Sequence, residues 1–216
     1  MKAPRGSADE YDLSITLPAG YFELPLDNID ERLDAAAPFV ELFSSETPTE
    51  TVSEVLGTLK FLLTALVAGN TRYCGLGQHL SETGERIASW LVVSLMTYGN
   101  PQNPRLTLLD IATAKNLDNA SLVIEPVDVE GRPILFAECI RTLPQPEITD
   151  VASQSVPASV FQMEAFVPSE DGTTVASIEF STTSLSEGPK FREMFFMLAA
   201  STQIGRAAGR PSMLDM

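Results

Sequence analysis

Residues 85–98 read ERIASWLVVSLMTY, and this stretch decides the fold. In an extended chain successive side chains point to opposite faces of a sheet. Ile87, Leu91, Val93 and Leu95 then point one way, and Trp90, Val92, Met96 and Tyr98 the other. A strand that is apolar on both sides belongs in the middle of a sheet covered on both faces. Arg72 to Leu80 forms the partner strand, and Ser81-Glu82-Thr83-Gly84 supplies the turn of a hairpin.

Upstream of this hairpin, residues 1–10 read as a tail. Leu13, Ile15 and Leu17 alternate with polar neighbours as in a strand, which Pro18 and Gly20 break. Tyr21, Phe22, Leu24 and Leu26 form a short extended segment that Pro25 consigns to an edge. Residues 28–43 predict a first helix, capped by Asn28 or Asp30 and interrupted at Pro38. Thr47, Pro48 and Glu50 make a capping box for a second helix. Its apolar residues run at helical spacing from Val52 to Val67, and Gly69-Asn70 ends it.

Downstream, Asn103-Pro104 opens a helix that runs to about Asn116. Leu122–Val129 and Pro133–Arg141 flank the turn Glu130-Gly131. Ala158–Val167 and Thr173–Thr182 flank Ser169-Glu170-Asp171-Gly172, with Asp-Gly as the hairpin signal. A Pro-rich loop, Leu143 to Pro157, separates the two pairs. The last helix is expected from about Glu187 to Gly205, with Phe191, Phe195, Leu198 and Thr202 along one stripe. The expected fold is a single α+β domain over 11–205, a mainly antiparallel sheet with helices on both faces, followed by a tail at 206–216.

The chain has 216 residues, 44% hydrophobic and 20% charged, an ordinary globular balance. Its 14 basic and 29 acidic residues give a net charge of −15, which repels phosphate backbones and anionic membranes. The same charge suits solubility or a basic partner. The N-terminus lacks the apolar core of a signal peptide, and the most apolar run, Phe61 to Ala68, is too short to span a bilayer. The expected compartment is the cytoplasm.

Chemistry-bearing residues are scarce. There is one histidine, His79, and two cysteines, Cys74 and Cys139. Most hydrolytic, redox and transition-metal chemistry gathers several such side chains. No Gly-x-Ser-x-Gly elbow accompanies His79. Cys74 lies five residues before His79, on the opposite face of the same strand, whereas a pairing of Cys139 with His79 or with Cys74 stays open. No catalytic residue and no cofactor are assigned. Asp27, Asp30, Glu31 and Asp34 could hold a hard cation on one helical face, although a helix dipole draws acids to any first turn.

Gly75 and Gly77 are not followed by a helix and so make no dinucleotide loop. They share a strand face with Tyr73 and His79, where two missing side chains leave a shallow gap. A helix of the same chain or a partner fills that gap. Tyr73, Gly75, Gly77 and His79 are therefore the candidate binding face.

The segments LPAGYFELPL (17–26), TRYCGLGQHL (71–80), ERIASWLVVSLMTY (85–98) and VASIEFSTTSLSEGPKFREMFFMLAAS (175–201) resemble the PsbP-like fold family. That family spans a photosystem II extrinsic protein, a Ran-binding transport factor and bacterial DcrB-like proteins. The local phrasing also looks like an actinobacterial branch of this fold. The resemblance implies docking on other proteins rather than catalysis, and one DcrB-like branch holds apolar helices of secreted effectors. The first expectation is thus a cytosolic adaptor- or chaperone-like protein-binding module tied to a secretion system. An immunity protein that meets a toxin through an acidic surface is the second. A small-molecule carrier or metal-assisted enzyme, which needs a pocket of at least about 300 Å³, is the third.

Overall fold

The computed structural model describes residues 11–35, 49–98, 100–118, 122–143 and 158–206. In chain order the elements are β1 (Tyr11–Ser14), β2 (Tyr21–Glu23), α1 (29–35), α2 (Thr49–Ala68), β3 (Thr71–Leu80), β4 (Arg86–Thr97) and α3 (Pro104–Asp118). Then follow β5 (Val123–Val129), β6 (Arg132–Leu143), β7 (Ala158–Pro168), β8 (Thr174–Thr182), a 3-10 turn (Gly188–Phe191), α4 (Arg192–Ser201) and β9 (Gln203–Arg206). The expected tails, the Pro38 kink, the Thr47 cap and the body of the Pro-rich loop lie outside the described residues.

Seven strands form one antiparallel sheet in the order β2-β3-β4-β8-β7-β6-β5. β4 stands inside the sheet between β3 and β8, as its two apolar faces require. One face buries Tyr73, Leu91, Val93, Leu95, Ile178 and Phe180 under Phe195, Leu198 and Ala199 of α4. The other face carries α3, through Leu108 and Ile111 on Leu135, Phe166 and Val175. Beside it, Leu33 of α1 and Leu63 of α2 pack on Cys74 and Val92. The fold is therefore α+β, with helices on both faces of an antiparallel sheet.

Turn chemistry sets the register of the hairpins. Glu130 and Gly131 both take positive φ, 54° and 83°, the pairing that a two-residue turn needs to match strand twist. The Asp128 carboxylate accepts the Gly131 N–H at 2.7 Å and closes that turn. At the β7–β8 corner, Gly172 has φ 67°, and a Cβ there would overlap the Gln102 carbonyl at the entrance to α3.

The last helix departs from expectation. It ends at Ser201 rather than Gly205. Thr202 turns extended, with φ −72° and ψ 130°, and its hydroxyl donates to the Leu198 carbonyl at 3.0 Å. That bond satisfies a terminal carbonyl that no further helical N–H reaches. The chain then continues as β9, antiparallel to β1, with Leu13 opposite Ile204. Both side chains pack on the central core, so tertiary burial outweighs helical continuation. The β1–β9 pair forms a separate two-stranded sheet on the α4 side.

Two arginines strap α4 to β6. Arg132 donates to the Thr202 and Ala200 carbonyls at 3.0 and 2.7 Å, placing a cation where the helix dipole is negative. At the other end Arg192 makes a bidentate pair with Glu138, at 2.7 and 2.6 Å. α4 is thereby held over β6 to β8, and among the described residues no helix covers the β5 margin of the same face.

Candidate functional site

The expected binding face around Tyr73, Gly75, Gly77 and His79 is an interior seam. Tyr73, Gly75 and Gly77 are buried, and His79 is half-buried. The gap above the glycines is filled by the chain itself. A Cβ on Gly75 would overlap the Tyr73 hydroxyl. A Cβ on Gly77 would overlap Ser89 Oγ and stand 2.6 Å from His79 Nε2 and 2.9 Å from Tyr21 Cε1. The filling comes from side chains of β2, β3 and β4, not from a helix. His79 is packed edge-on between Tyr21, at 5.3 Å, and Phe191, at 4.9 Å.

This seam contains a serine–histidine contact that sequence reasoning missed. Ser89 Oγ lies 2.9 Å from His79 Nε2 and donates to the Tyr21 hydroxyl at 3.1 Å. With its proton committed to Tyr21, Ser89 accepts from His79 Nε2–H. A nucleophilic serine needs the opposite arrangement, with histidine accepting. Ser89 is also buried, so the trio is a polar seam inside the sheet. The signal was present: Ser89 is the polar member of the stripe Ile87, Leu91, Val93 and Leu95.

Neither cysteine is poised as a nucleophile. Burial pushes the Cys74 thiol up to about 12 and raises that of Cys139. Both are free. They occupy β3 and β6, four strand steps of about 4.8 Å apart, so no bridge can join them. Cys139 shares its face with Leu135 under α3, opposite the His79 face, which closes the Cys139–His79 pairing as well.

The acidic cation candidates are dispersed. Asp27 accepts from Arg32 at 2.8 Å, and Asp30 pairs with Lys60 of α2. Among the described residues no group of three His, Cys, Asp or Glu, whether around Glu31 and Asp34 or elsewhere, is placed to hold a metal ion. Acids stand on both faces of the sheet, as Glu125 and Glu138 on the α4 side and Glu164 and Glu179 on the other.

Glu164 and Glu179 are direct cross-strand neighbours on β7 and β8. Lys115 of α3 clamps Glu164 with both oxygens at 2.6 Å. Burial, and next the Glu164 charge, raises the Glu179 carboxyl above its ordinary range, with Lys115 and Arg141 opposing. A carboxyl raised on folding contributes stability below its unfolded pKa and loses it as pH rises through the folded one. Burial lowers the His79 pKa, so that side chain acts the other way and costs stability as pH falls below 6.5. Glu179→Gln is thus expected to raise the urea midpoint at neutral pH and to leave it unchanged below pH 4.5. Urea titrations at the two pH values check this, and an equal shift at both would refute it.

The open concavity lies elsewhere, between α4 and the β5 margin. It encloses about 640 Å³. Val123, Val127, Phe136 and Met163 form its floor, and Phe195 and Phe196 of α4 form its wall. Phe136 stacks on Phe196 at 5.7 Å and meets Phe195 edge-on at 6.2 Å. The polar lining is the Arg192–Glu138 pair and Glu125. Arg192 is neutralised by Glu138, whereas Glu125 has no ion-pair partner among the described residues. Smaller hollows of about 410 and 390 Å³ flank Asp27 and Asp30, but their linings are half polar and shallow. No local sequence signature marks this cleft, because its walls come from β5, β6, β7 and α4.

No helix among the described residues is long and apolar enough to cross a membrane. No family model matches the chain. No curated protein matches it. Among solved structures it is similar to the crystal structure of LpqN, involved in cell envelope biogenesis of Mycobacterium tuberculosis, at 10% identity and a TM-score of 0.43, over 93% of this chain and 87% of that one.

Proposed function

We propose that this chain is a non-catalytic, adaptor- or chaperone-like protein-binding module that seats an apolar segment of a basic partner between α4 and β5. The observation that carries this reading is the cleft of about 640 Å³, apolar on floor and wall, with Glu125 as its uncommitted charge. A buried apolar anchor surrounded by polar rim contacts is how protein interfaces concentrate affinity. A net charge of −15 draws a basic partner toward that rim. Pro126 sits in β5 at the sheet edge and removes a ladder donor, which disfavours docking by strand addition and leaves the face as the route of entry. In this reading the protein works in the cytoplasm and hands its client to a secretion system.

The cleft volume also exceeds the roughly 300 Å³ that a small-molecule carrier needs, which keeps a carrier as the second reading. One experiment separates the two. A photo-crosslinking amino acid at the exposed Val123 is expected to capture a discrete partner protein in native lysate. Phe196→Glu and Glu125→Lys should abolish that capture, and His79→Gln should leave it intact. Capture that survives Phe196→Glu refutes the cleft as the site. A bound small molecule of constant mass in native mass spectrometry, lost in Phe196→Glu, replaces the protein-binding reading with the carrier.

A further inference from the structure

The two acids in the cleft between α4 and β5 are cross-strand neighbours. Val123 stands opposite Glu138, and Glu125 opposite Phe136. Glu125 and Glu138 are therefore diagonal on one face, about 7–8 Å apart. Carboxylates at that spacing repel unless each meets a cation. Arg192 meets one of them, forking onto Glu138 at 2.7 and 2.6 Å. Among the described residues no cation pairs with Glu125. Glu125 also borders aromatic surface. Its Cβ lies about 5 Å from that of Phe136 across the strand pair. The Phe136 ring stacks on Phe196, which is partly exposed and lines the same cleft. A carboxylate beside an accessible ring attracts a cation twice, through the ion pair and through the negative face of the ring.

We infer, on the protein-binding reading of this cleft, that it selects its client through one arginine, whose guanidinium forks onto Glu125 and lies against the Phe196 ring. Charge selects a cation, because the lining holds two carboxylates to one guanidinium. Shape selects arginine over lysine. A guanidinium is planar and weakly hydrated, presents paired donors to a carboxylate, and stacks on aromatic faces. An ammonium is compact and strongly hydrated, and so loses more on leaving water for an apolar cleft. The Arg192–Glu138 pair is the same fork already made one diagonal away.

Titration of the full chain with acetyl-Leu-Xaa-Leu amide, where Xaa is arginine, citrulline or lysine, tests this through the amide shifts of Val123, Glu125 and Val127. Citrulline keeps the planar shape without the charge, and lysine keeps the charge without the plane. The arginine peptide is expected to bind roughly tenfold tighter than the citrulline peptide, with lysine between them. That advantage should shrink in about 0.5 M salt, because Glu125 is exposed. Glu125→Gln should erase the difference between arginine and citrulline, and Phe196→Leu the difference between arginine and lysine. Both positions are exposed, so circular dichroism should not change. Equal binding of arginine and citrulline, or no shift of these amides with any peptide, overturns the inference. Equal binding of arginine and lysine overturns the guanidinium as the group selected. Crosslinking from Val123 in native lysate separates the two levels. Capture undiminished in Glu125→Gln overturns the arginine and leaves the cleft as a protein site. Absence of capture by the parent chain refutes the protein-binding reading, while arginine-selective shifts would still establish the guanidinium site.

Discussion

Gly77→Val is expected to be the most damaging single substitution, costing about 3 kcal/mol or abolishing folding. The first added carbon already overlaps Ser89 Oγ and crowds His79 Nε2 and Tyr21 Cε1. None of the three has room to give way. Ser89 is buried on the central strand β4, and His79 is held between the Tyr21 and Phe191 rings. Tyr21 is in turn fixed by the β2–β3 pairing, in which it stands opposite Gly77. Relief would therefore require β2 to leave the sheet. Urea denaturation followed by fluorescence measures the effect, and a variant within about 1 kcal/mol of the parent would show that the seam can open.

Phe195→Ala is expected to cost about 3–5 kcal/mol, whereas Phe196→Ala one residue on costs about 1 kcal/mol or less. Phe195 is 2% exposed, and its ring lies against Phe136 and Phe180 at 6.2 and 6.3 Å. Truncating it empties the contact between α4 and the sheet. Phe196 is 38% exposed and forms the outer wall of the cleft. Its truncation should spare stability and abolish partner capture. Thermal melts and crosslinking from Val123 read the two quantities separately. A Phe196→Ala variant as unstable as Phe195→Ala would make the cleft wall part of the core. One that is stable and captures normally would remove the cleft from the proposed function.

Much of the sheet was legible because strand alternation is a local property. The two-faced apolar pattern of Ile87 to Met96 located β4 inside the sheet, and Glu130-Gly131 and Asp171-Gly172 marked their hairpins. The edge position of β2 followed from Pro25 two residues past its end. The close of the chain was misjudged for a physical reason. Gln203 to Arg206 has no helix breaker before Gly205, yet Ile204 gains more by pairing with Leu13 over the core than by another helical turn. The missing side chains of Gly75 and Gly77 are plain in the sequence, but two of the groups packed against Gly77, Tyr21 and Ser89, lie on neighbouring strands whose register no local pattern specifies.

By itself the sequence determined the class of fold, the central strand, the hairpin turns and the scarcity of reactive groups, since each depends on neighbours a few residues apart. Tertiary structure alone decided that the glycine face is closed and that the cleft opens at the β5 margin. It also left Phe61 and Leu62 of α2 exposed. Those outcomes depend on where α4 is strapped to β6 and on how much of each face the helices reach. Coverage of that kind arises from distances across the chain that strand and helix periodicities do not encode.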